Sequence, residues 1–296
     1  MKGIPKETGY CTSYDGTQIY YEVRGQGFPI VLCYGIGCLI NHWTHQIRHF
    51  SRSYKVIAFD YRAHHKSEMP QDRANLSIDS LAQDVKTLLD HLKIEKASLW
   101  GHSFGAQVTI RAYDMHPDRV HSLVFINGFA TNPIHGMFGT DLPNSLFHLL
   151  KTGYGTLPET LSYLWRVSLN NPLAIQLSAM AGGFNLHLTS LKDIEIYARG
   201  ISSMDLDAFL RMFEYMMKYD GQSVLERIQV PTLVIGGSQD SVTPKKFQDE
   251  LHRRIKGSQF LMVPYGSHCT QLDMPELVNL RIEKFMSAHI KKPTSQ

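Results

Sequence analysis

Apolar and polar positions change their rhythm along the chain. Residues 8–25, TGYCTSYDGTQIYYEVRG, place two β-rich runs either side of Asp15-Gly16, which predicts an antiparallel hairpin. After Gly25-Gln26-Gly27 the runs become short and continuously apolar (PIVLCY, YKVIAFD, KASLWG) and alternate with helical stretches such as Ile78 to Leu92. Continuous apolar runs are buried on both faces, and alternation with helices predicts a parallel sheet joined by right-handed crossovers. VHSLVFING continues that sheet, and the next strand of the same kind is VPTLVIGG at Val230 to Gly237. A helix from about Pro244 to Ile255, the strand SQFLMVPYG and a helix from Pro275 to Ile290 follow, and KKPTSQ reads as a frayed tail.

The gap between VHSLVFING and VPTLVIGG divides the chain. Residues 1–130 and 228–296 form the predicted α/β core, and 131–227 form an insertion. That insertion reads as mostly helical, with Leu206, Phe209, Leu210, Phe213 and Met217 spaced along one helix face. Met137, Met180, Met204, Met212, Met216 and Met217 lie within it, six of the chain's 12 methionines, which predicts a soft apolar surface. Each such side chain is more often helix packing than ligand contact. Trp165, Met180, Phe209 and Met212 are the examples that would line a pocket if the segment covers an active site.

Charge excludes more than it identifies. Thirty Lys and Arg against 27 Asp and Glu leave a net charge of +3, with no basic stripe of the kind that holds nucleic acid. No apolar stretch reaches the length of a membrane span, and the start, MKGIPKETGYC, lacks the apolar run of a secretory signal. A soluble protein not exported by that route is expected. Cys11, Cys33, Cys38 and Cys269 are too few and too scattered for a disulfide framework, which fits reduced thiols in a cytoplasm.

Three short motifs carry chemistry. Gly101-His102-Ser103-Phe104-Gly105 falls between the strand KASLW and the helical AQVTIRAYDMH, the strand–turn–helix setting in which G-x-S-x-G exposes a nucleophilic serine. Small residues two positions either side let strand and helix backbones approach, and the helix N-terminus favours developing negative charge. Asp240 follows the buried strand VPTLVIGG, placed to accept a hydrogen bond from a histidine on a neighbouring loop. At the end of the preceding strand, the other place for an acid, stands Asn127, which cannot carry the charge. His268, after the strand SQFLMV, is the candidate general base, since histidine side chains in general take and return protons near neutral pH. Serine, acid and histidine thus occur in that order, each at the carboxyl end of a predicted strand.

These elements and the strands around them resemble the α/β-hydrolase superfamily from about Thr8 to His289, apart from the insertion, which resembles that family's cap. The resemblance implies a mostly parallel sheet flanked by helices, with Ser103 as nucleophile, His268 as general base and Asp240 as its orienting acid. It also implies an oxyanion hole from the backbone N–H groups of Ile36 and Phe104, with Tyr34-Gly35-Ile36-Gly37 where relatives usually read His-Gly-x-Gly. Ala63 and His65, in Asp60-Tyr61-Arg62-Ala63-His64-His65-Lys66-Ser67, stand where relatives commonly have glycine, while Asp273 and Pro275 agree with the family pattern. The activity most often associated with such a site is carboxylic ester hydrolysis, here of apolar acyl groups, with a small-molecule ester as substrate and no cofactor. A thioesterase, a carbon–carbon bond hydrolase and a cofactor-free perhydrolase or haloperoxidase share the triad. Epoxide hydrolases and haloalkane dehalogenases use a carboxylate nucleophile, whereas the elbow here carries serine. A ligand-binding relative without turnover is the non-enzymatic alternative.

His42, His45 and His49 fall at i, i+3 and i+7, with His64-His65 nearby, but no carboxylate or cysteine ligand spacing accompanies them. Hydrolysis by Ser103 needs no metal, and no metal ligand is assigned. Cys269, next to His268, lacks an elbow and reads as packing.

Overall fold

A computed structural model describes residues 4–134, 137–169 and 183–290. Lys6–Thr12 (β1) and Gln18–Arg24 (β2) pair antiparallel across a turn in which Gly16 takes φ +86°, the left-handed conformation that Asp-Gly signals. The apolar runs form Pro29–Cys33 (β3), Lys55–Phe59 (β4), Ala97–His102 (β5), Val120–Ile126 (β6), Thr232–Gly237 (β7) and Gln259–Val263 (β8). Together the eight strands make one sheet in the order β1-β2-β4-β3-β5-β6-β7-β8. Only the pairings of β2 with β1 and with β4 are antiparallel. This is the fold class read from the sequence, an α/β-hydrolase sheet with helices packed on it.

Burial explains the continuous apolar runs. Every residue of β5 and of β7 is buried, which leaves no polar face to alternate with. Helices Ile78–His91, Phe104–Met115, Lys246–Arg254 and Pro275–His289 cover the sheet. Ser77 caps the first of these, its hydroxyl accepting from the Ser80 amide.

Between β6 and β7 the described segments are helical: Leu142–Thr156, Pro158–Leu169, Leu191–Ser202 and Leu206–Lys218. The helix Leu206–Lys218 is apolar on two faces. Leu206 and Leu210 pack with Phe147 in a small separate cluster, while Ala208, Met212 and Met216 join the main core. This helix packs the insertion on the core, and Phe184 and Ile194 pack with Cys269 and Leu272 at a second place. Of the pocket residues expected above, Met212 is fully buried in the main core and Trp165 packs on Phe209 at 4.8 Å, so these three serve packing. Met180 lies outside the described residues.

A charged knot ties the opening hairpin to the sheet. Arg62, fully buried just beyond β4, donates from Nε and Nη2 to the two oxygens of Asp84 at 2.7 and 2.6 Å and from Nη1 to Asp15 at 2.7 Å. Asp84 also accepts from Ser13 Oγ at 2.5 Å. A forked guanidinium satisfied by two carboxylates is tolerable in a dry interior; either partner alone is not. Asp84→Ala should therefore cost about 3 kcal/mol or more in urea denaturation. Asp249→Ala, which removes only the exposed i,i+4 partner of Lys245, should cost less than about 0.5 kcal/mol.

Candidate active site

The sharp turn after β5 sets the site. Ser103 has φ 54° and ψ −123°, a conformation L-residues rarely adopt and that costs about 1–3 kcal/mol. Two glycines permit it. A Cβ on Gly105 would lie 2.1 Å from the Cys33 carbonyl oxygen, and one on Gly101 would lie 2.5 Å from the Gly105 oxygen. Strand, turn and helix thus approach too closely for any side chain at either position. The Ser103 amide donates to Ile126 O at 3.1 Å, extending the sheet through the turn, and the helix Phe104–Met115 begins at the next residue. Its first turn presents the Phe104 amide beside Ser103, with the positive end of the helix behind it.

The loops after β7 and β8 meet this turn. The Ser103 hydroxyl donates to His268 Nε2 across 2.9 Å, and His268 Nδ1 lies 3.1 Å from Asp240 Oδ2. Ser103 is partly exposed, while His268 and Asp240 are buried. Four donors hold the Asp240 carboxylate before His268 reaches it. The amides of Val242 and Thr243 bind Oδ1 at 2.9 and 2.8 Å, and Thr243 Oγ1 and Asn127 Nδ2 bind Oδ2, both at 2.7 Å. Such a cage fixes which oxygen faces His268 and favours the His268 tautomer with its proton on Nδ1.

Asn127 and Thr243 are residues that sequence reasoning missed. Asn127 stands where a competing acid would stand, and the structure points its amide at Asp240 and at the carbonyl of Ser267, 3.1 Å away. Its position at the carboxyl end of a sheet strand was the available signal. Asp273, seen in the sequence only as agreeing with the family pattern, also has a definite task. Its Oδ2 accepts from the Ser267 amide at 2.6 Å and from Ser267 Oγ at 2.7 Å, and its Oδ1 accepts from Thr189 Oγ1 in the insertion. The His268 loop is thus fastened on both sides.

The Gly35–Gly37 turn passes directly beside Ser103: a Cβ on Gly35 would be 3.3 Å from Ser103 Cβ. Ile36, half-buried, sits on this turn, which the bond from Cys38 N to Gly35 O closes at 3.0 Å. Tyr34, where relatives have histidine, is fully buried; its hydroxyl donates to Asp60 Oδ1 at 3.1 Å and accepts from the Tyr61 amide at 3.0 Å. Burial pushes the Asp60 carboxyl up to about 6. Ala63 and His65, at the places of two expected glycines, do adopt the left-handed region, with φ of 61° and 44°. His65 uses the strained position. Its Nε2 donates to Cys38 O at 2.8 Å and its Nδ1 lies 3.2 Å from Ser203 Oγ, so one ring joins the Gly35–Cys38 turn to the insertion.

The three histidines seen at helical spacing part company. His45 and His49 face Asp193 at 3.8 Å and Glu283 at 3.2 Å near the surface, while His42 turns inward against His102, ring centroids 4.6 Å apart. His102 Nε2 donates to the carbonyl of His268 at 2.9 Å, a contact the motif alone did not reveal. Burial holds both rings neutral, pushing His42 down to about 3 and His102 well below the usual histidine range. Cys269 is buried and burial raises its thiol pKa, in keeping with packing.

A family model described as alpha/beta hydrolase fold matches residues 29–275. The chain belongs to that family. Among curated proteins, Epoxide hydrolase 4 of Mus musculus is 24% identical, with 94% of this chain and 78% of that protein covered. Among solved structures, a bromoperoxidase from Bacillus anthracis superposes with a TM-score of 0.77 at 20% identity, covering 95% of this chain and 99% of that one. An esterase from Exiguobacterium antarcticum gives 0.73 at 20% identity, with 94% and 99% covered. These likenesses share a fold and differ in named chemistry, so the choice among reactions falls to the site of this alpha/beta hydrolase.

Two outcomes follow from the loops. His65→Gly relieves a strained φ while losing two hydrogen bonds, so stability should change by less than about 1 kcal/mol. Amide exchange should nevertheless accelerate at 35–38 and 200–203, and unchanged exchange there would show that the ring joins nothing. Burial also pushes His64 down to about 3, against the Arg62 carbonyl that favours the charged ring, and His64 Nε2 accepts from the Gly37 amide at 3.1 Å. Unfolded histidine takes a proton near pH 6.5 and folded His64 does not, so stability should fall as pH drops from about 6.5 towards 3. The slope is roughly 1.4 kcal/mol per pH unit for this residue, and urea midpoints of His64→Gln should lose it.

Proposed function

We propose that the protein is a serine hydrolase of carboxylic esters with apolar acyl groups, acting through an acyl-enzyme on Ser103. The observation that carries this reading is the continuous chain from Ser103 Oγ to His268 Nε2 at 2.9 Å and from His268 Nδ1 to Asp240 Oδ2 at 3.1 Å. In the proposed reaction His268 takes the Ser103 proton as Oγ attacks the ester carbonyl, and Asp240 stabilises the imidazolium. The amides of Ile36 and Phe104 receive the oxyanion: one lies on the turn that touches Ser103, the other opens the helix behind it. His268 then returns the proton to the departing alcohol, and water repeats the sequence.

Residues 131–227 act in this reading as a cap on the core formed by 1–130 and 228–296. Apolar side chains exposed on its described helices, including Leu142, Leu146, Leu149, Leu164 and Leu191, support an apolar acyl group. A serine at the elbow disfavours covalent epoxide opening, which uses a carboxylate there. Four buried cysteines with no disulfide among them support a reducing compartment such as the cytoplasm. No helix among the described residues is long and apolar enough to cross a membrane.

The test is a chain-length series of p-nitrophenyl esters with matched thioesters, alongside labelling by a fluorophosphonate. Ester turnover should exceed thioester turnover and rise with acyl length. Ser103→Ala should abolish labelling and lower kcat by several orders of magnitude. Asp240→Asn should lower it by roughly 10⁴-fold, since the caged amide would favour the wrong His268 tautomer. An unlabelled protein that still binds esters tightly would point to a non-catalytic ligand binder.

A further inference from the structure

Three buried side chains beside the nucleophile have no part in that reaction. Cys38, His42 and His102 each bring one donor atom into a cluster whose atoms all lie within 4.8 Å of one another. Three atoms no more than 4.8 Å apart all lie within about 2.8 Å of some common point, so a contraction of under an ångström reaches Zn–N and Zn–S bonding distances. Of the three, only His42 belongs to the i, i+3, i+7 spacing of His42, His45 and His49.

The hydrogen bonds around the rings set their lone pairs. His102 donates from Nε2 to the His268 carbonyl, which leaves the lone pair on Nδ1, and that atom is fully buried without a hydrogen-bond partner. A Cβ on Gly35 would lie 3.2 Å from Cys38 Sγ and 3.3 Å from His102 Nδ1, so sulfur and nitrogen border the same small space that glycine keeps clear. His42 Nε2 meets the Gln271 amide at 2.5 Å, with Gln271 Oε1 buried and unsatisfied. Turning that amide over lets Oε1 accept from His42 Nε2–H, which satisfies that oxygen and leaves the His42 lone pair on Nδ1. Histidine ligands of metals characteristically donate their other ring N–H in this way.

We propose that Cys38, His42 and His102 bind one thiophilic divalent cation of the Zn²⁺ class, and that its binding slows reaction at Ser103. On binding, the Cys38 thiol releases its proton to solvent and its thiolate, with one lone pair from each imidazole, coordinates the metal; nothing is oxidised or reduced. One thiolate and two neutral rings leave a net charge of +1 on the cluster. The His102 ring lies 5.0 Å from the His268 ring, so that charge opposes the imidazolium that attack by Ser103 requires. The slowing rests on the serine-hydrolase reading; the binding does not.

The experiment uses the full chain, freed of metal by a chelator. Titration with Zn²⁺ against a chromophoric chelator should show one tightly bound equivalent and about one proton released, with no uptake of Mg²⁺. Co²⁺ in its place should give a thiolate charge-transfer band that Cys38→Ser lacks, with thermal unfolding confirming that the variant is folded. Fluorophosphonate labelling of Ser103 should slow at least tenfold with one equivalent of Zn²⁺, and labelling of Cys38→Ala should proceed at one rate with or without it. Absence of stoichiometric binding, or binding that survives Cys38→Ala, overturns the site. Binding that leaves labelling unchanged overturns its effect on Ser103. A metal-free protein that is not labelled at all refutes the serine-hydrolase reading while the Zn²⁺ and Co²⁺ results still decide the site.

Discussion

The close passage of three backbone segments at Gly101, Ser103 and Gly105 is the constraint on which the rest of the site depends. A turn with φ 54° at Ser103 stores strain that the sheet must hold, and it does so by continuing its hydrogen bonding through the Ser103 amide to Ile126. Because Gly105 lies against the carbonyls of Cys33 and Tyr34, the helix start is locked to the end of β3 as well as to β5. The same contact brings the Gly35–Gly37 turn against Ser103. One packing requirement therefore places both the hydroxyl and the two amides that would receive an oxyanion.

Given that fixed point, the surrounding loops have to be held to it, and they are held by buried polar groups. Asp240 is caged by Asn127 and by Val242 and Thr243 of its own loop; Ser267 is fastened by Asp273; His102 holds the His268 carbonyl; His64 and His65 hold the Gly35–Cys38 turn. Each is a neutral or ion-paired donor matched to an acceptor in a dry environment, where a lost partner costs more than a gained one returns. Such bonds add little net stability, but they allow few alternative positions for the loops.

The strands, the antiparallel opening and the places of Ser103, Asp240 and His268 after their strands were legible because continuous apolar runs, an Asp-Gly turn and glycines at fixed offsets each have one local explanation. Helix ends moved by a residue or two, as with Lys246–Arg254 inside the expected Pro244 to Ile255, because periodicity does not mark where backbone hydrogen bonding begins and ends. Contacts between distant loops were not legible. Asn127 reads as an absent acid until β6 and β7 are seen side by side, and His42 reads as one of three helix-face histidines until the chain bends it towards His102. The insertion's apolar residues divided in a way that spacing cannot express, since Leu210 and Met212 on one helix serve different cores.

Positive φ at Ala63 and His65 shows how a departure from a family pattern can be read physically. Glycine at these places would relieve the backbone at no steric cost, so keeping side chains there has to be offset by what the side chains do. His65 has such a compensation in its bonds to Cys38 O and Ser203 Oγ, and Ala63 has one in the packing of its methyl against the main core. With Asp273 bound to Thr189 on the other side of the site, His65 makes the insertion touch both the Gly35–Cys38 turn and the His268 loop. A displacement of the insertion therefore cannot leave the two loops beside Ser103 unaffected.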